Sequence, residues 1–297
     1  RRSSDLKIQY PVVFCHVGYF SGSQLGFPKG KVEEVNHFYH YVISAPDIMK
    51  RRKAQIDAFG AWGMRPQFFD AIMGNQLSSE QLEKVAAKEN FLTLGEIGCA
   101  LSHLGVYQKL LESREKCVYV FEDDALLTEE FINLQPQIQQ FMEEQTAPTV
   151  LLLFNICGYE RRARRISQDV SIMKCLGGTR AYAYVLNRPA ALNLLKAQMP
   201  VKIELDAWAI YQKMGFIRLY CLNKNVVQLN KALDEDSLID NIDDRLGRDG
   251  KRVKGIKDKH VYNWYRQLTM IEKIRFFGRR ISRHIKELYY ENSENDL

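Results

Sequence analysis

The sequence lacks the features that define several protein classes. No stretch approaches the roughly 20 consecutive apolar residues of a membrane-spanning helix. The six cysteines are scattered, with no CxxC spacing, so we expect reduced core thiols in a cytoplasmic protein rather than a disulfide framework. No RNP-like or helix-turn-helix pattern appears, and nucleic acid is not an expected partner. With 46% hydrophobic and 26% charged residues, the chain of 297 residues has a globular composition.

Positive charge is concentrated near the C-terminus. Residues 1–250 hold 30 basic and 30 acidic side chains, whereas residues 251–290 hold 12 basic and 3 acidic ones. Apolar side chains recur there every three or four residues, at Leu268, Ile271, Ile274, Phe277, Ile281, Ile285 and Leu288. This pattern predicts a basic amphipathic helix that binds an anionic membrane surface. The alternative is a terminal helix packed on the body of the protein with a solvated basic face.

The rest of the chain alternates between predicted strands and helices, which indicates an α/β fold with a mostly parallel sheet covered on both faces. The predicted strands are residues 38–45, 66–69, 117–121, 149–155, 182–186 and 217–221. The predicted helices are residues 47–59 with Asp47 as N-cap, 78–88, 94–112, 129–144, one from Pro189, and 204–215. In such sheets ligands bind beyond the carboxyl ends of the strands.

Three carboxylates, Glu122, Asp123 and Asp124, directly follow the apolar strand 117–121. Clustered like charges are unfavourable, and a divalent cation such as Mg²⁺ or Mn²⁺ offsets that repulsion with hard oxygen ligands. In extended chain, Glu122 and Asp124 point to one side and Asp123 to the other. A strand-end turn with a helix cap is an equally good interpretation. A second acidic cluster, 234–236, sits in a polar segment and is interpreted as a solvated loop.

Three further features allow two interpretations each. Arg51 and Arg52 either hold a phosphate near a strand end or form an exposed basic helix face. His103, among apolar neighbours, is more often a core residue than a ligand. The basic run 161–165 is predicted to be a solvated loop, with binding of an anionic acceptor as the alternative.

The segments 94–103 (LGEIGCALSH) and 118–124 (VYVFEDD) resemble glycosyltransferase family 25, which contains bacterial lipooligosaccharide galactosyltransferases. Segments 41–52, 68–74 (FFDAIMG) and 178–186 (GTRAYAYVL) resemble further family motifs in the same order. Asp206 matches an aspartate that follows them. The resemblance covers roughly residues 38–230.

This resemblance implies a GT-A-like fold and an inverting, metal-dependent transfer of galactose from UDP-galactose to a lipooligosaccharide or lipopolysaccharide core sugar. Mn²⁺ or Mg²⁺ would be held by Glu122 and Asp124, with His260 as third ligand, and Asp206 would be the catalytic base. The resemblance further assigns nucleotide-sugar binding to Ser44, Arg52, Phe69, Asp70, Ala71, Glu96, His103 and Asp123.

The expected organisation is an unassigned segment 1–36, a catalytic domain 37–232, and an acidic loop with the basic helical region 233–297. Such an enzyme would lie on the cytoplasmic face of the bacterial inner membrane and act on a lipid-linked acceptor, with a homodimer left open. The alternatives are a glucosyl- or N-acetylhexosaminyltransferase and, from a different class, a basic lipid- or nucleic-acid-binding protein.

Overall fold

The computed structural model describes residues 38–156, 158–230 and 249–287. The strands are β1 His40–Ser44, β2 Phe68–Asp70, β3 Cys117–Glu122, β4 Ala125–Leu127, β5 Thr149–Leu152, β6 Tyr159–Arg165, β7 Ser171–Cys175, β8 Ala183–Asn187, β9 Arg218–Leu222 and β10 Val227–Leu229. The α-helices are α1 Met49–Gly60, α2 Ser79–Val85, α3 Leu94–Glu112, α4 Glu129–Glu143, α5 Arg188–Gln198, α6 Trp208–Met214, α7 Gly250–Gln267 and α8 Met270–Glu287.

Eight of the described strands form one sheet in the order β2-β1-β3-β8-β5-β9-β7-β6, and β4 pairs with β10 in a separate ribbon. Pairing is parallel between β1 and β2, β1 and β3, and β5 and β9, and antiparallel at β7 and β8. Six of these eight strands therefore share one direction, opposed by β7 and β8. The prediction of a mostly parallel sheet is confirmed in this sense.

The central strands are covered on both faces. Every residue of β1, β5 and β8 is buried, as are the first five residues of β3. Because successive side chains of a strand point to opposite faces, a strand with one solvated face would alternate between buried and exposed positions. The sheet is therefore the inner layer, and polar side chains reach solvent chiefly where strands end.

Helix α3 packs closely against the turn that follows β2. The Thr93 side chain accepts from the Glu96 amide, and the Glu96 carboxylate accepts from the Thr93 amide, a reciprocal capping box. A Cβ at Gly98 would lie 2.3 Å from the Ile72 carbonyl oxygen, so only glycine allows this close approach. The hydroxyl of Ser102 accepts from the Ile72 amide at 2.8 Å and donates to the Gly98 carbonyl.

Several local predictions are wrong. Helix α1 begins at Met49 after Ile48, with no side-chain cap, so Asp47 is not the N-cap. Residues 161–165 belong to β6 instead of a loop, because they pair with β7 at the edge of the sheet. The helix predicted from residue 204 begins at Trp208, although the predicted stop at Gly215, in left-handed conformation, is confirmed. Strands β4, β7 and β10 were not predicted. Segments 1–36 and 233–248, including the acidic cluster 234–236, lie outside the described residues.

Candidate functional site

The carboxyl ends of three parallel strands meet at one edge of the sheet. Ser44, the last residue of β1, is in register with Asp70, the last of β2, and Ile43 lies beside Glu122, the last of β3. Strand β8 runs the other way, so its first residue, Ala183, lies at the same edge. The polar residues that the sequence placed after separate strands are therefore neighbours here.

Arg52 ties together the ends of β1 and β2. Its Nη2 donates to the Ser44 carbonyl at 3.0 Å and to the Asp70 carboxylate, and its guanidinium lies 4.8 Å from the ring centre of Phe68. The Ala71 amide also donates to the Ser44 carbonyl, at 3.0 Å. The Ser44 hydroxyl is buried and has no hydrogen-bond partner among the described residues. These side chains form a compact polar floor, in which the Ser44 hydroxyl makes no hydrogen bond with the described residues.

Asp123 is engaged on the opposite side, against α1. Its carboxylate forms a buried ion pair with Arg51 at 2.6 Å. The Gln55 amide donates to the carbonyls of Asp123 and Ala125, at 3.0 and 2.8 Å. Asp123 thus shapes the loop after β3, and neither Arg51 nor Arg52 forms an exposed basic helix face. Glu122 faces α3, so these two carboxylates point apart as the alternation of an extended chain predicts.

Asp124 is a partly buried carboxylate that forms no ion pair with the described residues. Its Oδ1 is buried and makes no hydrogen bond in the described part of the chain. Burial, and then the charges of Glu122 and Asp123, raise the pKa of Asp124 from 3.8 to about 7, against a smaller opposing effect of Arg51. Divalent cations bind well to desolvated carboxylates that lack donors. The residues present therefore fit an oxygen-ligated cation at Glu122 and Asp124.

His103 anchors a buried polar chain behind Glu122. Its Nδ1 lies 2.7 Å from the Tyr184 hydroxyl, which lies 2.7 Å from the Tyr107 hydroxyl, and its Nε2 lies 3.4 Å from Oε1 of Glu122. Burial raises the pKa of both tyrosines, so the phenols stay neutral. His103 is fully buried, and the predicted contact of His103 with a nucleotide sugar stays a prediction. One helical turn earlier, Cys99 presents its thiol to the same place.

Asp206 holds a strained segment just before β8. Its Oδ2 accepts from the Arg180 amide at 2.8 Å, and Trp208 Nε1 donates to the Arg180 carbonyl at 2.8 Å. Arg180 has φ of 68°, a left-handed conformation that costs free energy in a residue with a side chain. Asp206 thus lies at the predicted edge, with one carboxylate oxygen committed to the backbone.

His260 does not join the carboxylates. Its Nε2 lies 2.9 Å from the Glu89 carbonyl, and the preceding Lys259 pairs with the Glu89 carboxylate. Among the described residues, the ligand atoms that come within 4.8 Å of one another in a group of three are those of Cys99, His103 and Glu122, without Asp124 or His260. The structure therefore gives His260 a packing role on α7, in place of the predicted metal ligation.

Two other predicted site residues also have structural roles. Glu96 completes the capping box of α3, and Phe69 turns into the core, where its ring meets that of Tyr41 edge-on. Sequence reasoning missed Cys99, Arg180 and Tyr184. The four-residue separation of Cys99 and His103 on one helix was a usable signal, whereas nothing in the sequence indicated the positive φ of Arg180.

A family model described as glycosyltransferase family 25 (LPS biosynthesis protein) matches residues 38–209, more than half of the chain. The chain belongs to this family. The matched range contains the strand ends, α3, the carboxylate cluster and Asp206. Helices α7 and α8 lie beyond it.

Curated relatives carry family names or the names of bacterial glycosyltransferases. A "Glycosyltransferase 25 family member" of Aedes aegypti is 30% identical over 33% of this chain and 18% of its own length. A "Putative glycosyltransferase" of Haemophilus influenzae is 37% identical over 31% of this chain and 34% of its own. The "Lacto-N-neotetraose biosynthesis glycosyltransferase LgtB" of a serogroup B strain of Neisseria meningitidis is 32% identical over 38% of this chain and 43% of its own length. The chain thus spans less than half the length of each.

None of the helices that the structure describes is both long enough and apolar enough to cross a membrane.

Proposed function

We propose that this protein is an inverting glycosyltransferase that moves galactose from UDP-galactose to a core sugar of lipooligosaccharide or lipopolysaccharide, giving a β-linkage. The observation that carries the proposal is the desolvated carboxylate Asp124 beside Glu122 at the carboxyl edge of the sheet, inside the range that matches the family. The name of the Neisseria relative, a lacto-N-neotetraose biosynthesis glycosyltransferase, supports the choice of acceptor class.

Glu122 and Asp124 would hold Mn²⁺ or Mg²⁺. When bound, such an ion neutralises charge that builds on a departing diphosphate. On the donor side, the chain would contribute the polar floor at β1 and β2. The Ser44 hydroxyl, which has no hydrogen-bond partner among the described residues, would bond the nucleoside there. Arg52 keeps that floor in place through the Ser44 carbonyl and the Asp70 carboxylate.

Asp206 is the proposed base. With Oδ2 occupied by the Arg180 amide, the other carboxylate oxygen would accept the proton of the acceptor hydroxyl. The acceptor oxygen then bonds to the anomeric carbon from the face opposite UDP, and the bond to UDP breaks with its electron pair on the diphosphate. Attack from the opposite face inverts the anomeric configuration. The side chain of Arg180 is exposed and forms no ion pair with the described residues, so its guanidinium would attract the diphosphate.

We propose further that α8 binds the anionic surface of the cytoplasmic membrane leaflet. Phe276 and Arg279 face the body of the protein, where Arg279 donates to the Lys213 and Met214 carbonyls. Large apolar side chains point away from it, with Ile274 67% exposed and Ile281 62% exposed. An apolar stripe between basic flanks is typical of interfacial helices, and it would bring the enzyme to a lipid-linked acceptor.

The decisive test combines nucleotide binding with a donor screen. We expect UDP to bind in calorimetry with Mn²⁺ present and much more weakly without it, and one sugar nucleotide to be preferred in turnover. Asp124→Ala should lower turnover at least about 100-fold, the order seen when one group that stabilises transition-state charge is removed. Asp57→Ala, which removes an exposed carboxylate on α1, is the control and should leave turnover unchanged. Metal-independent UDP binding, or full turnover in Asp124→Ala, would overturn the proposal.

The role of Asp206 has its own test. Asparagine keeps an oxygen that accepts from the Arg180 amide but is not basic, so Asp206→Asn should fold and bind donor normally while turnover falls by about 100-fold or more. Near wild-type turnover in Asp206→Asn would exclude this base. A matching loss of donor affinity would instead indicate that Asp206 acts only by holding the Arg180 segment.

A further inference from the structure

We propose that Cys99, His103 and Glu122 form a second metal site, which takes a transition ion of borderline softness such as Zn²⁺ in preference to Mn²⁺ or Mg²⁺. The Cys99 sulfur, an imidazole nitrogen of His103 and a carboxylate oxygen of Glu122 lie within 4.8 Å of one another. Cys99 and His103 are four residues apart on α3, so their side chains share one face of the helix. Glu122 meets them from the end of β3.

The spacing of the imidazole nitrogen and the carboxylate oxygen suits a tetrahedral ion. Zinc binds imidazole nitrogen and carboxylate oxygen at about 2.0–2.2 Å, which places two such ligands about 3.4 Å apart across tetrahedral coordination. Nε2 of His103 lies 3.4 Å from Oε1 of Glu122. These two atoms therefore already stand at the separation that a shared ion requires, and a small adjustment of the Cys99 side chain completes the trio.

The surroundings of His103 are those of a metal-binding imidazole. Its ring is fully buried, and its Nε2 has no hydrogen-bond partner among the described residues. A buried polar atom without a partner costs free energy that an ion at this position would offset. The other ring nitrogen is held by Tyr184 at 2.7 Å, and Tyr184 by Tyr107. Ligating histidines regularly use their second nitrogen in this way, which fixes the ring.

The donor atoms decide the class of ion. Sulfur and nitrogen ligands favour Zn²⁺ or Co²⁺, whereas Mn²⁺ and Mg²⁺ favour oxygen. Cys99 and Glu122 are partly exposed although His103 is not, so an ion reaches the site from the solvent side. Three protein ligands leave a fourth position for water. Glu122 also belongs to the proposed catalytic cation site, so the two ions would compete for its carboxylate. This competition rests on the proposed function, whereas metal binding by Cys99, His103 and Glu122 does not.

The test is a Co²⁺ titration of the reduced, metal-free full chain without nucleotide. We expect a thiolate-to-cobalt charge-transfer absorption that saturates at one equivalent. One equivalent of Zn²⁺ should displace it, and one equivalent of Mn²⁺ should not. Cys99→Ser should abolish the band. Tyr184→Phe, which removes only the hydroxyl that holds His103, should weaken Co²⁺ binding about 10–100-fold.

Cys117→Ser is the matched control, because Cys117 is a buried thiol that faces Gln139 and lies outside the trio; it should keep the band at full strength. Circular dichroism checks that each variant is folded, and the partly exposed Cys99 is the ligand whose replacement perturbs the core least. No band in the wild type, a band that survives in Cys99→Ser, or displacement by Mn²⁺ as readily as by Zn²⁺ would each overturn the proposal. Since no sugar nucleotide is present, a failure here is distinct from a failure of the proposed transferase activity.

Discussion

Helices α3 and α8 are nearly equal in length, with 19 and 18 residues, but they bury their side chains very differently. Helix α3 buries eleven residues, including the polar Ser102 and His103, each fixed by a named contact. Helix α8 leaves Ile271, Ile274, Phe277 and Ile281 between 50% and 67% exposed. The first helix is a rigid support for the strand-end carboxylates, and the second presents apolar side chains that are half exposed or more. Substitutions at α3 and the strand ends should therefore change the free energy of unfolding, whereas substitutions on α8 should change the binding of a partner.

The buried ion pair at the sheet edge should give the largest effect on stability. Asp123→Ala leaves the Arg51 charge buried without its carboxylate, and loss of one partner of such a pair costs about 3–5 kcal/mol. Asp258→Ala removes the partner of Lys254 on α7, where both side chains are more than 60% exposed, and should cost less than about 0.5 kcal/mol. Urea denaturation measures both free energies of unfolding. Equal losses in the two variants would contradict the contrast between the regions.

A pair of glycine substitutions tests the same contrast in the backbone. Gly98→Ala places a Cβ 2.3 Å from the Ile72 carbonyl oxygen, so α3 must shift, and we expect a loss of about 1–3 kcal/mol. Gly278→Ala on α8 meets no atom within 4 Å and should stabilise the protein by roughly 0.5 kcal/mol through helix propensity. Denaturation midpoints at matched slopes decide the outcome. A tolerated Gly98→Ala would mean that α3 is not clamped to the turn after β2.

The ionised Asp124 carboxylate should destabilise the folded protein when no metal ion is bound. Burial and the neighbouring carboxylates raise its pKa from 3.8 to about 7, so the folded state favours the protonated form. Between about pH 4 and pH 7 the carboxyl ionises more readily in the unfolded chain than in the folded one, so the free energy of unfolding of the wild type falls as pH rises. Above pH 7 the loss of stability is complete and no longer changes with pH. Asp124→Asn lacks this penalty and should be more stable by about 1–3 kcal/mol at pH 8 in chelator.

The measurement is the free energy of unfolding of both proteins at pH 4 and pH 8. The difference should vanish near pH 4, where the wild-type carboxyl is largely protonated when folded. Added Mn²⁺ should narrow the difference at pH 8, because an ion that binds the native carboxylates stabilises the wild type by mass action. A difference independent of pH would show that hydrogen bonding, and not charge, distinguishes the two side chains.

The sequence predicted the sheet edge well because apolar strands and the capped, periodic α3 are strong local signals. It failed where tertiary contacts decide. Residues 161–165 are almost all charged and form a strand only because β7 pairs with them. An exposed helix face was one of two interpretations of Arg51, and only the fold places Asp123 against it. Similarly, His260 was the plausible late histidine by position, and only the packing of α7 brings it to Glu89.

The smallest change in stability and the clearest change in interaction should come from the apolar stripe of α8. Removing the chain beyond Lys259 would be a poor test of membrane binding by α8, because it also removes Trp264, which is buried against Tyr211 and Phe216. The double variant Ile274→Asp and Ile281→Asp leaves the core intact and should lower binding to anionic vesicles at least about tenfold, since each exposed apolar side chain contributes about 1.5 kcal/mol or more when it enters the bilayer.

The matched control for this double variant is Asn263→Asp with Gln267→Asp, two exposed positions on α7. It changes the net charge equally but removes no apolar surface, so its binding should fall only by the electrostatic share, which added salt also removes. Sedimentation with vesicles of anionic and neutral lipid separates the two contributions. If both double variants lose binding equally, charge alone attracts α8 to the membrane. If neither variant loses binding, the isoleucines do not enter the bilayer, and the exposed stripe must serve a different partner because a lipid surface would not offset the cost of their exposure to water.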